Sequence, residues 1–341
     1  MEVSEVNFLC GTERVNEMNH IDPENEGVTT ALLLAAGIGS RLHPITKNMP
    51  KCLTVVNGVP ILEQLVSSLD QHGFKRLVVV TGHFENCIQK FLGTKYGGIT
   101  IDYVYSPLYA TTNNIYSLWM AREIIREPFL LIESDLVFDM SLLDDMLYPD
   151  RIAISRMRPW MNGTTVTVDR FQHAKAFWIG TAGPSDELLY KTVNIYSFSL
   201  SSWHRIKKRL DQHISAGRVN DYYETVFAEM VTDGSLSLQT VLFDNKPWYE
   251  IDTIEDLAAA EKMFLTDWDK TGTPANMVTH TPRISRQLSP KLHDKDIATF
   301  PRLHPGIRPP LQPGSLFSME PAPGPRLPGV GPGSKVQSRK N

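Results

Sequence analysis

Between residues 30 and 133 short apolar runs alternate with amphipathic segments, and no other feature of the sequence limits the fold as tightly. The candidate strands are TALLLAA (30–36), RLVVVTG (76–82), TIDYVYS (100–106) and FLLIESD (129–135). Each is too short for a lone helix and is bounded by Gly, Pro or polar residues. The stretches between them, PILEQLVSSLDQHG (60–73), FENCIQKFLG (84–93) and NNIYSLWMAREII (113–125), carry helical apolar spacing. Strands alternating with helices in this way predict parallel βαβ units and a sheet covered on both faces, a Rossmann-like, doubly wound α/β fold. Right-handed crossovers then place the strand C-termini on one edge, where open α/β sheets bind ligands.

After residue 150 the pattern becomes richer in strands: RIAISRM (151–157), TTVTVDR (164–170), KAFWIGT (175–181) and KTVNIYSFS (191–199). Helices are expected at 201–215 and 221–233, a strand at 237–243 and an acidic helix at 253–265. We read this part as a β-rich insertion that walls a pocket and returns strands to the main sheet. The expected organisation is an N-terminal extension (1–28), one domain (29–266) with a first half (29–150) and a second half (151–250), and a tail (267–341). The last 75 residues hold 13 of the 23 prolines and 11 Lys and Arg against five Asp and Glu. Such a Pro-rich segment buries too little apolar surface to offset its ordering entropy, so disorder is expected there.

Charge and cysteine content exclude several classes. The formal net charge of -4 gives no basic excess of the kind that nucleic-acid or membrane-surface binding requires. Cys10, Cys52 and Cys87 are widely spaced without a CxxC pattern, which argues against a disulfide framework or a zinc site. The first 30 residues hold seven acidic residues and only Arg14 as a base, the wrong charge for a leader, and no apolar run reaches about 20 residues. A cytoplasmic protein without nucleic-acid or membrane partners is expected. The oligomeric state stays open, a homodimer being one option.

Directly behind the first apolar run stands LLLAAGIGSRLHPITKNMPKCL (32–53). It lacks the Walker GxxxxGK[ST] pattern, and Leu42 stands where a dinucleotide fingerprint needs a third glycine. Gly37 and Gly39 permit a sharp turn and let backbone amides approach a phosphate without an intervening Cβ. Pro44 and Pro50 stiffen the excursion that follows. Arg41 and Lys51 then bracket an anion from two sides, one as a planar fork and the other as a point charge.

The string from Gly37 to Lys51 resembles the signature of the nucleotidyltransferases that make sugar nucleotides and CDP-activated compounds. The likeness extends over roughly residues 30–265. It implies that Leu34, Ala35, Ala36, Gly37, Gly39 and Ser40 bind the triphosphate, and that Arg41 and Lys51 stabilise charge during attack on the α-phosphorus. The runs YATTNNIYSL, LYKTVNIYSFS, NDYYETVFAEM and WYEIDTIEDL resemble the CTP-using branch, the phosphocholine and 2-aminoethylphosphonate cytidylyltransferases.

Asp135 should project from a strand end at the ligand edge, and Asp252 precedes the last helix. Mg²⁺ usually takes one or two carboxylates together with phosphate oxygens. The residues alone leave helix capping open for both aspartates; the resemblance implies that together they hold the catalytic Mg²⁺. Glu133, Asp139 and Asp256 are expected to be solvated or capping. Asn113 and Asn114 either face the base or cap the helix they open. Lys191 is the candidate for the acceptor's phosphate or phosphonate, Asn194 for orienting it, and Glu224 for the counter-charge of a primary amine. Trp160, Trp178, Tyr196, Tyr222, Tyr223 and Trp248 supply aromatic faces for a trimethylammonium, most of them expected in the core. The expected activity is metal-dependent transfer of CMP from CTP to such an acceptor, with release of pyrophosphate. Rival readings are a hexose-1-phosphate nucleotidylyltransferase using UTP or dTTP and a nucleotide-binding regulatory subunit without turnover.

Overall fold

The computed structural model describes residues 27–271 except 160 and 182. The tail, nearly all of the expected N-terminal extension and Trp160 therefore lie outside the described residues. The strands are β1 (Thr30–Ala35), β2 (Val55–Val56), β3 (Val59–Pro60), β4 (Arg76–Thr81), β5 (Lys95–Tyr96), β6 (Ile99–Tyr105), β7 (Phe129–Glu133) and β8 (Leu136–Phe138). They continue as β9 (Arg151–Arg156), β10 (Thr165–Val168), β11 (Ala174–Trp178), β12 (Tyr190–Phe198), β13 (Gln239–Leu242) and β14 (Trp248–Glu250). The helices are α1 (Ile61–Gln71), α2 (Glu85–Leu92), α3 (Asn114–Met120), α4 (Leu200–Ser215), α5 (Tyr223–Thr232) and α6 (Ile254–Thr271).

The continuous apolar run of β1 is explained by its place. It pairs in parallel with β4 on one side and β7 on the other, and all six of its residues are buried. Its side chains divide by parity, as a pleated strand covered on both faces requires. Ala31 and Leu33 join the layer under α1 and α2, with Leu77 and Val79 of β4 and Leu130 and Ile132 of β7. Leu32 and Leu34 join the opposite layer, with Val78, Val80, Phe129 and Leu131, beneath α3, α4 and α5.

The sheet runs β11-β10-β12-β7-β1-β4-β6-β5, with β9 and β13 branching from β12. The strands after residue 150 thus continue the main sheet across the expected boundary between halves, because β12 pairs antiparallel with β7. This reversal matters for the site: β12 begins at the edge where β7 ends. A second junction lies outside the main sheet, where β8 pairs antiparallel with β14, setting Glu250 opposite Leu136, and the Ile251 amide donates to the Asp135 carbonyl at 3.0 Å. No helix among the described residues is long and apolar enough to cross a membrane.

Trp203 of α4 anchors the second layer. It is fully buried, stands edge-on to Phe129 at 4.9 Å and donates its indole N–H to the Ile125 carbonyl at 3.2 Å. Trp203→Ala should lower unfolding free energy by about 3–5 kcal/mol in urea titration. Leu188→Ala, at a side chain 62% exposed, should stay within about 0.5 kcal/mol of the parent protein.

Candidate active site

The glycine-rich loop leaves β1 at the sheet's C-terminal edge and descends through short 3-10 turns at Ser40–Leu42, Ile45–Lys47 and Lys51–Leu53. Leu34, Ala35 and Ala36 are buried, so what they offer a ligand is strand-end backbone, while Gly37 and Ser40 are exposed. Gly39 takes a left-handed conformation (φ 67°), and a Cβ on it would stand 3.1 Å from the Lys51 Cβ. The Thr46 hydroxyl closes the turn by donating to the Gly39 carbonyl at 2.7 Å. Gly37 differs: its φ is not left-handed, and a Cβ there would meet nothing within 4 Å. Nothing in the chain's own packing demands a glycine at 37.

Lys51 lies against this loop and donates from Nζ to Asp135 Oδ2 at 2.6 Å and to Asp252 Oδ1 at 2.7 Å. Arg41 Nη2 reaches the same Asp252 oxygen at 2.7 Å. Burial works to lower the Lys51 pKa, but the two carboxylates outweigh it and hold the ammonium above its ordinary range. The sequence thus brings together four of its candidate residues across 211 positions.

The capping alternative for Asp252 falls away for a local reason. Thr253 and Asp256 form the reciprocal cap of α6: the Asp256 amide donates to Thr253 Oγ1, and the Thr253 amide and hydroxyl donate to Asp256 Oδ2. Asp252 is left to face the two cations. Asp139 caps the following 3-10 segment through the Ser141 amide, in line with the expected role.

Glu133 is a correction. It is neither solvated nor a cap: Oε1 accepts from the Tyr223 hydroxyl at 2.9 Å and from Asn114 Nδ2 at 3.2 Å. Parity explains this, since Glu133 follows Phe129 and Leu131 onto the face covered by α3 and α5. Burial first, then the charges of Asp135 and Glu224, raise its pKa well above the ordinary value. Glu133, Asp135 and Glu250 each present a carboxylate oxygen within 4.8 Å of the others, and Asp135 Oδ1 is buried without a partner. A set of hard oxygens with one unspent acceptor suits Mg²⁺ and no soft metal. Sequence reasoning passed over Glu250, although Glu-x-Asp occurs at both 133–135 and 250–252, with alternating residues on one side of an extended chain.

The paired asparagines are both engaged by protein. The Asn113 side chain caps α3 by accepting from the Asn114 backbone N–H and donates from Nδ2 to the Asn220 carbonyl at 3.4 Å, while the Asn113 backbone N–H donates to the Val219 carbonyl. Asn114 spends Nδ2 on Glu133 and takes the Tyr223 amide on Oδ1 at 3.0 Å. Of the two expected uses, the structure shows capping at Asn113 and a tie between α3, β7 and α5 at Asn114.

Lys191 and Asn194 stand at the start of β12, near the end of β7. The β12–β9 register shifts between Thr192 and Tyr196, and Asn194 sits in that irregularity with φ 61°, a conformation asparagine tolerates better than most residues. Lys191, only 3% exposed, bonds the Thr192 carbonyl at 2.8 Å and Glu250 Oε2 at 3.1 Å. Asn194 accepts from Thr192 Oγ1 at 3.0 Å and points Nδ2 at Glu250 Oε1 at 3.4 Å. Lys191, Glu250 and Asp252 line a cavity of about 310 Å³ together with Arg158, Trp248 and Tyr249. Among the expected aromatic residues, Trp248 reaches this cavity, while Tyr196 and Tyr223 pack into the ring cluster with Phe198 and Phe227.

Glu224 opens α5, 4% exposed, with Thr164 Oγ1 at 3.5 Å and Oε2 without a partner. Burial pushes its carboxyl up to about 7; Lys191 opposes this and Glu250 adds to it. An unfolded glutamate titrates near 4.5. Its stabilising contribution is therefore complete below that pH and is lost as pH rises through about 7. Glu224→Gln should melt above the parent protein at pH 8, with the gap closing toward pH 4.5. The reverse order at pH 8 would mean that Lys191 stabilises the buried carboxylate.

Residues 30–151 match the family model described as Nucleotidyl transferase. The CMP-5'-(3-aminopropyl)phosphonate synthase of Streptomyces rubellomurinus is 30% identical over 69% of this chain, which spans 38% of that protein. The 2-aminoethylphosphonate cytidylyltransferase of Lancefieldella rimae is 28% identical over 69% of the chain and 93% of its own length. The structure of the CTP:phosphocholine cytidylyltransferase from Streptococcus pneumoniae superposes with a TM-score of 0.59 at 21% identity, covering 70% of this chain and all of that one, which establishes a shared fold. With its glycine-rich loop on β1 and Asp135 beyond β7, the segment 30–151 is a nucleotidyl transferase domain.

Proposed function

We propose that the chain is a metal-dependent cytidylyltransferase that moves CMP from CTP to a small phosphonate carrying a primary ammonium. The observation that carries this reading is the meeting of Lys51, Arg41 and Asp135 around Asp252, which itself lines the cavity. The names of the relatives from Streptomyces rubellomurinus and Lancefieldella rimae support both the nucleotide and the acceptor class.

In the proposed reaction an acceptor oxygen attacks the α-phosphorus of CTP. A new P–O bond forms, the bond to the bridging oxygen breaks, and its electron pair leaves with pyrophosphate. Positioning and charge stabilisation suffice, with no covalent enzyme intermediate. Lys51 and Arg41 would turn to the triphosphate and take up charge on the leaving group. Asp135 and Asp252 would hold Mg²⁺, with Glu133 and Glu250 beside them; when bound, the ion neutralises charge on the α-phosphate so that an anionic acceptor can approach. Lys191 would meet the phosphonate from the cavity wall. Glu250 at the cavity wall favours an ammonium that donates hydrogen bonds over a trimethylammonium, which donates none.

The test is pyrophosphate release with Mg²⁺, crossing CTP, UTP and dTTP against 2-aminoethylphosphonate, 3-aminopropylphosphonate, phosphocholine and glucose 1-phosphate. Turnover with CTP and an aminoalkyl phosphonate is expected. Turnover with glucose 1-phosphate would move the chain to sugar-nucleotide synthesis, and none with any pair would leave a binding subunit. Lys51→Ala and Asp135→Asn should each lower kcat/KM by about 10²–10³. Gly37→Ala should leave the melting temperature unchanged, because the added methyl meets only open space. It should raise KM for CTP, because a triphosphate lying on the loop needs that space.

A further inference from the structure

We propose that Lys51, assisted by Arg41, latches Asp135 and Asp252 in the nucleotide-free protein, so that the divalent cation gains its carboxylates only when the triphosphate draws the two side chains away. The inference rests on the proposed function for the identity of the anion, but the latch belongs to the free protein.

Lys51 Nζ already bonds Asp135 Oδ2 and Asp252 Oδ1, and Arg41 Nη2 shares the latter oxygen. These are the same two carboxylates that would hold the metal. A divalent cation approaching them meets an ammonium at bonding distance, a like charge in a half-buried site where screening is weak. It can take the carboxylates only after the ammonium leaves. Lys51 has an alternative partner within a side-chain swing, since its stem lies against Gly39 and the loop proposed to cradle the phosphates. Arg41 is freer still, with its side chain 66% exposed. The arrangement is a partner exchange: two cations pass from carboxylates to phosphates, the metal takes the carboxylates, and no charge is left buried and unpaired at the end. Coupling of this kind is reciprocal, so metal and nucleotide each tighten the other.

The partnerless oxygen of Asp135 offers the rival arrangement. A metal could settle on Oδ1, with Glu133 and Glu250 nearby, while Lys51 stays in place. Removal of the ammonium relieves repulsion in both arrangements, and they differ in whether the gain depends on Asp252, which only the latched site uses.

Mn²⁺ is titrated into the full-length protein without nucleotide, and unbound Mn²⁺ is read by electron paramagnetic resonance. Lys51→Met should bind Mn²⁺ at least about tenfold tighter than the parent, within the 5–150-fold span usual for coupled sites. Adding Asp252→Asn to that variant should abolish the gain, because the latched site needs Asp252; a gain that survives Asp252→Asn would place the metal on Asp135, Glu133 and Glu250 and overturn the latch. Arg41→Met, at a side chain exposed to solvent, should bind severalfold tighter. Lys51→Arg, which keeps the charge, should remain as weak as the parent. Parent and Lys51→Met binding Mn²⁺ equally, or Arg41→Met showing no gain should Lys51→Met fail to fold, would overturn the latch. Because the readout needs neither nucleotide nor turnover, its failure is separate from that of the proposed activity.

Discussion

The antiparallel pairing of β8 with β14 brings the two halves of the site together. Without it, Asp135 at the end of one parallel strand and Asp252 ahead of the last helix have no reason to meet. The ladder sets Glu250 opposite Leu136, and the Ile251 amide on the Asp135 carbonyl extends the pairing by one residue toward the site. Two backbone segments held in this way can present acidic side chains to one another at fixed spacing. Loops alone would not hold several carboxylates this close, because each desolvated charge repels the next.

That repulsion organises the surroundings. Glu133, Asp135, Glu250 and Asp252 accumulate charge in a partly buried region, and the chain answers with cations placed at its two ends. Lys51 and Arg41 stand at the loop side, and Lys191 at the cavity side, 3% exposed and paired with Glu250. Hydroxyl and amide donors from Tyr223, Asn114 and Asn194 take up lone pairs of Glu133 and Glu250, while Asp135 Oδ1 is left unspent. A buried charge with its partner removed costs far more than the pair contributes. The acidic cluster therefore constrains α3, α5 and the irregular start of β12 as well as any ligand.

Much of the fold was legible because burial on both faces imposes a continuous apolar run on a short strand, and β1, β4 and β7 show it plainly. Arg41, Lys51, Asp135 and Asp252 could be singled out for a different reason: each sits at a strand end or in a glycine-rich loop, where a charged side chain has little packing to do, although the residues alone left capping open for both aspartates. Glu133 was misjudged because a carboxylate one residue from a strand end reads as solvent-facing until the covering helices are known. The roles of Asn113 and Asn114 were undecidable in sequence, since a cap and a base contact use the same amide.

By itself the sequence determined the order of the longer strands and the helices, though not the short β2, β3, β5, β8 and β14, together with the loop that follows the first strand and the acidic positions at strand ends, because periodicity and local backbone chemistry depend only on near neighbours. Only the tertiary structure decided that β12 runs antiparallel into the main sheet and that β14 pairs with β8. It alone decided that Thr253 and Asp256 relieve Asp252 of capping and that one ammonium bridges Asp135 to Asp252. Each of these depends on pairings between residues far apart in the chain, and a local pattern carries no record of its distant partner.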